Sequence, residues 1–136
     1  MNFNLMIKAS IISIGDELLA GHIIDTNAAS LSKGLLSISI PTVSSYTVRD
    51  NIDSIIQALK LASQDADIVL STGGLGPTDD DLTREALAKF LGAELQLENE
   101  LLQKIQNFFT RQNLRMPEEA KIQAYIPAGA KALTNN

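Results

Sequence analysis

Thr72-Gly73-Gly74-Leu75-Gly76-Pro77-Thr78-Asp79-Asp80-Asp81 sets a glycine loop and three consecutive carboxylates between two apolar stretches of different period. Before it, Asp67-Ile68-Val69-Leu70-Ser71-Thr72 reads as a strand covered on both faces. After it, the run from Leu82 to Leu91 carries helical apolar spacing. The loop is therefore expected at the C-terminal end of a parallel strand, which is where ligands bind in open α/β sheets.

The same alternation extends in both directions. Lys8 to Ile14 reads as a buried first strand, broken by Gly15-Asp16-Glu17. Asp25-Thr26-Asn27 supplies cap residues for an amphipathic helix through Ala28, Leu31, Leu35 and Leu36, ending before Pro41. Thr42 to Val48 reads as a second strand, and Asp50-Asn51 caps a helix whose Ile52, Ile55, Ile56, Leu59 and Ala62 share one face. This order predicts an α/β fold of three α/β/α layers, with a mostly parallel sheet and right-handed crossovers. Past Gly92, Ala93 to Leu97 alternates like a short edge strand, and Asn99 to Asn113 is helical through Leu101, Leu102, Ile105, Phe108 and Phe109. The stretch from Pro127 to Asn136 reads as a loop and the start of a strand, so a single domain lacking its last elements is expected.

Composition narrows the partners. The 136 residues suffice for one core, and a net charge of −5 without a Lys/Arg cluster argues against nucleic acid and anionic membrane as partners. The absence of cysteine removes disulfides and thiol chemistry, and a cytoplasmic setting is expected. The N-terminus from Met1 to Ile7 has no basic segment or cleavage site of a secretory signal, and the apolar run from Ile7 to Ile14 is too short to span a bilayer.

Backbone amides of a glycine loop at a helix N-terminus form an anion site, with phosphate as the obvious guest. No Gly-Lys-Ser/Thr follows, and Asp79 stands where a dinucleotide fingerprint has its third glycine, so ATPase and NAD readings weaken. Three aspartates would repel phosphate unless a divalent cation lay between them, and carboxylates suit Mg²⁺. Against this stands the reading of Thr78 to Asp81 as a capping box whose acids favour the helix N-terminus, and the residues alone leave both open. Gly15-Asp16-Glu17 should open onto the same edge, and Ser71 and Thr72 offer hydroxyls there. His22, the sole histidine, reads as a surface or packing residue.

Ser13 to Gly21, Asp25-Thr26-Asn27, Thr72 to Thr83 and Arg115-Met116-Pro117 together resemble the N-terminal domain of the competence/damage-inducible CinA family, from Ile7 onward. That domain is similar to the molybdenum-cofactor-biosynthesis domain, which binds molybdopterin in its adenylyltransferase relatives. The resemblance implies a metal-dependent ADP-ribose pyrophosphatase giving AMP and ribose 5-phosphate, with Mg²⁺, Mn²⁺ or Co²⁺ as cofactor. The alternative is a non-catalytic module that binds a nucleotide or pterin. The resemblance also implies that Gly73, Gly74 and Gly76 cradle the diphosphate, and that Asp80 and Asp81 hold the cation, with Asp16, or position water. Glu17, Gly15, Thr72 and Thr78 complete the site, and Thr26 and Asn27 reach ribose or phosphate. The C-terminal amidohydrolase domain that often follows in this family is absent from the sequence. His22 and Asp25 stand where the family often has an amide. Related domains often self-associate, and the face carrying Leu101, Ile105 and Phe108 is the expected contact for a homo-oligomer.

Overall fold

The computed structural model describes residues 6–133, so the N-terminal stretch before Met6 and the end of the expected last strand, Thr134 to Asn136, lie outside the described residues. Three strands form a parallel sheet in the order β2-β1-β3, with β1 at Ala9–Ile14, β2 at Thr42–Val48 and β3 at Ile68–Thr72. Central β1 is buried at every position, as a strand packed on both faces must be. Its alternate residues feed two cores. Ala9 and Ile11 pack with Leu35, Leu31 and Ala28 of α2 (Thr26–Ser37) on one face of the sheet. Ile12 and Ile14 meet Ile55, Ala58, Leu59 and Ala62 of α3 (Ile52–Asp65) and Ala86 of α4 (Thr83–Leu91) on the other. The three-layer α/β/α arrangement expected from the sequence is the one observed.

Local chemistry explains the helix boundaries. Asp25 caps α2 by accepting from the Ala28 amide at 2.9 Å, and Asn51 caps α3 by accepting from the Ser54 amide at 2.8 Å. Gly92, left-handed at φ 63°, ends α4 and returns its amide to the Lys89 carbonyl.

Several details differ from the sequence expectation. β3 is half-buried rather than covered, because it lies at the sheet edge with β1 as its only strand neighbour among the described residues. A one-turn helix, α1 (Asp16–Leu19), follows Gly15 directly. β4, at Leu95–Leu97, does not extend the main sheet. It pairs antiparallel with β5 (Tyr125–Pro127), a strand that ends where the sequence was read as a loop; residues 128–133 form a turn and irregular chain. α5 (Asn99–Arg111) packs beside a 3₁₀ helix at Glu118–Ala124, with Leu101 and Ile105 half-buried and Phe108 exposed. Among the described residues, no helix is long and apolar enough to cross a membrane.

Candidate ligand site at the C-terminal edge of the sheet

β1 and β3 run parallel with Ser13 opposite Thr72, so the two chains leave the sheet side by side at Ile14 and Gly73. Between them lies a cavity of about 140 Å³, lined by Ile14, Glu17, Ile23, Thr26, Asn27 and Gly73 among others. The Asn27 amide nitrogen donates to Thr72 Oγ1 at 3.1 Å and fixes the first turn of α2 against the end of β3. Glu17, Thr26, Asn27, Thr72 and Gly73, separated in sequence, thus share one wall system. Ile23 and Ile24, which the sequence reading passed over, add an apolar side and remain exposed to solvent. His22 is exposed, and its backbone amide donates to the Glu17 carbonyl.

Gly73 also opens the glycine loop. It stands at φ 96°, and a Cβ there would collide with the Ile14 carbonyl oxygen; Gly74, at φ 61°, leaves room for the Thr83 hydroxyl. The helix beyond holds the loop in place. Thr83 Oγ1 donates to the Gly73 carbonyl at 2.8 Å, and its amide to the Gly74 carbonyl at 3.1 Å. Arg84, the second residue of α4, is 7% exposed and donates to the carbonyls of Leu75 at 2.6 Å and Gly76 at 2.7 Å.

The three aspartates part company here. Asp79 and Asp80 are exposed, whereas Asp81 folds back over the loop. Its Oδ2 accepts from the Thr78 hydroxyl at 2.6 Å and the Thr78 amide at 3.0 Å. The Thr78 hydroxyl chiefly, then the amides of Thr78 and Gly76 and the charge of Arg84, hold the Asp81 carboxyl below its usual range against the opposing effect of burial.

Asp50 is the acid that the sequence reading assigned only to a cap. Asn51 performs the capping, and Asp50, at the end of β2, turns toward the same edge: its Oδ1 lies 2.9 Å from where a Cβ on Gly74 would stand. That oxygen is out of solvent and has no hydrogen-bond partner. Burial first, then the charges of Asp81, Asp16 and Glu17, raise the Asp50 carboxyl above its ordinary value, with the Leu82 amide opposing them. Its position was available from the sequence, because a strand end in a parallel sheet shares its edge with the other strand ends. Asp16 lies across from it in an exposed ion pair with Arg49 at 3.4 Å.

Among the described residues no three His, Cys, Asp or Glu side chains converge in the manner of a closed metal cage. Mg²⁺ is commonly held by one or two carboxylates together with substrate phosphates, and this open edge offers that kind of donor set. Asp81 keeps one carboxylate oxygen outside its bonds to Thr78, and Asp16 and Asp80 are accessible.

Residues 10–133 match the family model described as a probable molybdopterin binding domain. A putative competence-damage inducible protein of Caldicellulosiruptor bescii is 42% identical over 127 residues, covering 93% of this chain and 31% of that protein. A CinA-like protein of Kosmotoga olearia is 47% identical over 128 residues, covering 94% of this chain and 31% of that protein. The chain thus spans less than a third of the length of these relatives. Among solved structures, the protein CinA of Thermoplasma acidophilum, described as of unknown function, superposes with a TM-score of 0.84 at 32% identity, covering 94% of this chain and 75% of that one. The molybdopterin biosynthesis enzyme MoaB of Thermus thermophilus shares the fold at a TM-score of 0.61 and 20% identity, over 90% of this chain and 79% of that one.

Proposed function

As the chain belongs to the CinA-type branch of the molybdopterin-binding-domain family, we propose that it is a binding module for a phosphate-bearing nucleotide or pterin held across the C-terminal edge of β1 and β3. The observation that carries this reading is the position of Gly73, which lines the cavity and opens the glycine loop at once. A ring entering the cavity would therefore place an attached phosphate over the loop. The cavity, at about 140 Å³, is well below the ~300–1,000 Å³ of pockets that enclose whole ligands, so it would take only part of such a molecule. Ribose and phosphates would lie on the open edge, within reach of Thr26, Asn27 and the loop.

The acids define what the phosphate needs. Asp16, Glu17 and Asp81 all bear electrostatically on Asp50, so an unaccompanied phosphate is repelled and a divalent cation, Mg²⁺, Mn²⁺ or Co²⁺, is the expected bridge, held by one or two of the accessible carboxylates of Asp16, Asp80 and Asp81 together with the ligand's own phosphates. Calorimetric titration of the purified chain with ADP-ribose, AMP and a pterin phosphate, each with Mg²⁺ or EDTA, tests the module. Cation-dependent binding is expected; no heat from any of them at about 1 mM, the weak end of specific recognition, would overturn it.

The same group of acids favours a second reading, hydrolysis. In it a cation held by the same carboxylates would supply activation of water for hydrolysis of the diphosphate of ADP-ribose, with AMP and ribose 5-phosphate as products. AMP release in Mg²⁺, Mn²⁺, Co²⁺ or EDTA, compared with the Asp80→Asn/Asp81→Asn double variant, separates the readings. Metal-dependent turnover lost in the variant supports a hydrolase, and binding without turnover leaves the module.

A further inference from the structure

Arg84 stands where two general rules oppose it. A cation in the first turn of a helix meets the positive end of the dipole, and a buried guanidinium is costly unless its donors are met. The two terminal nitrogens of its fork meet acceptors, the carbonyls of Leu75 and Gly76, at 2.6 and 2.7 Å, while Nε is buried without a hydrogen-bond partner, so the position keeps part of that cost.

Peptide geometry then dictates the other side of the loop. Among the described residues every peptide bond is trans, so a carbonyl turned toward Arg84 turns the following N–H away from it. The Leu75–Gly76 unit thereby aims the Gly76 amide outward, and the next unit ends in Pro77, which has no N–H to offer. The carboxylate of Asp81 lies on that outward side, against Gly76 and bonded to the Thr78 amide at 3.0 Å.

We infer that Arg84 is a positioning residue that keeps the glycine loop receptive to anions, by drawing the Leu75 and Gly76 carbonyls inward so that the Gly76 amide, rather than two carbonyl oxygens, faces the ligand edge. The inference rests on the reading that this edge takes phosphate. Without the fork, the Leu75 and Gly76 carbonyls are free to turn outward, adding two acceptors to an edge already lined with carboxylates. Lysine keeps the charge but cannot hold two carbonyls in one plane.

Arg84→Lys and Arg84→Gln test this in the full chain with two readouts. In the ligand-free protein, amide hydrogen exchange at Gly76 and Thr78 is expected to accelerate about tenfold or more, as for loss of a hydrogen bond to a charged group, while amides of β1 and α3 keep their rates. In Mg²⁺, ADP affinity is expected to fall about tenfold while adenosine affinity holds, because only the diphosphate meets the loop. Unchanged loop exchange overturns the inference, as does a parallel loss of ADP and adenosine binding, or the failure of both variants to fold, either of which makes Arg84 a stability residue. If the parent chain binds neither ADP nor adenosine, the binding reading fails by itself and the exchange rates still decide the role of Arg84.

Discussion

A methyl group added at Gly73 has no place to go. The residue stands at φ 96°, a backbone region that L side chains rarely enter, and the added Cβ would run into the Ile14 carbonyl oxygen. Backbone, unlike a flexible side chain, cannot swing aside here, because β1 is fully buried at this end and Ser13 is already paired with Thr72. The conformational penalty alone is about 1–2 kcal/mol, and the steric term adds to it. Gly73→Ala is therefore expected to cost about 2–4 kcal/mol, seen as a lower urea midpoint at unchanged m-value. A change within about 0.5 kcal/mol, the range of an ordinary surface substitution, would mean that the loop relaxes around the methyl and that its conformation is not imposed by β1.

Among the helices, α3 depends on its cap in a way that can be isolated. Asn51 lies outside the cavity and accepts from the Ser54 amide at 2.8 Å; Asn51→Ala should destabilise by about 1 kcal/mol in thermal unfolding and leave ligand affinity unchanged. Loss of affinity would show that the cap also sets the direction of its neighbour Asp50. This helix was legible in the sequence, as were β1, α2 and α4, because each has a long apolar period with a recognisable start or stop. The elements that escaped are short or depend on distant partners. Four-residue α1 has too few turns to show a period. β5 spans three residues and ends in Pro127, and β4 finds its antiparallel partner there, some thirty residues on, a pairing that no local pattern encodes. β3 has the composition of a covered strand, yet edge or centre is decided by sheet order. The site divides likewise. The glycines, Thr26, Asn27 and the acidic run of the candidate site stood out as motifs, whereas Asp50 was hidden beside a true cap and Arg84 by a helix rule that it breaks.

Taken over the whole chain, the charge balance of −5 concentrates its consequences at one edge of the sheet, where two carboxylates are displaced in opposite directions. Asp81, lowered from 3.8 chiefly by the Thr78 hydroxyl, binds its proton less tightly folded than unfolded. Its contribution to stability is present above 3.8 and is lost as pH falls through the folded value. Asp50, raised from 3.8 first by burial and then by its acidic neighbours, does the reverse: its favourable contribution is full below 3.8 and disappears as pH rises through the folded value. The fold therefore bears the charge of Asp50 at a cost, and that of Asp81 at a gain. Unfolding free energies of the parent, Asp50→Asn and Asp81→Asn, measured by urea from neutral pH down to about pH 3, should separate in a defined pattern. Asp81→Asn should be less stable than the parent at neutral pH, with the gap closing in acid. Asp50→Asn should be more stable at neutral pH, with its advantage shrinking as the parent's own carboxyl protonates. Curves that run parallel across the range would refute the opposed shifts. The expected pattern would mean that this edge keeps a carboxylate whose charge the fold bears at a cost, a cost that the cation-bridged ligand proposed above would offset when bound.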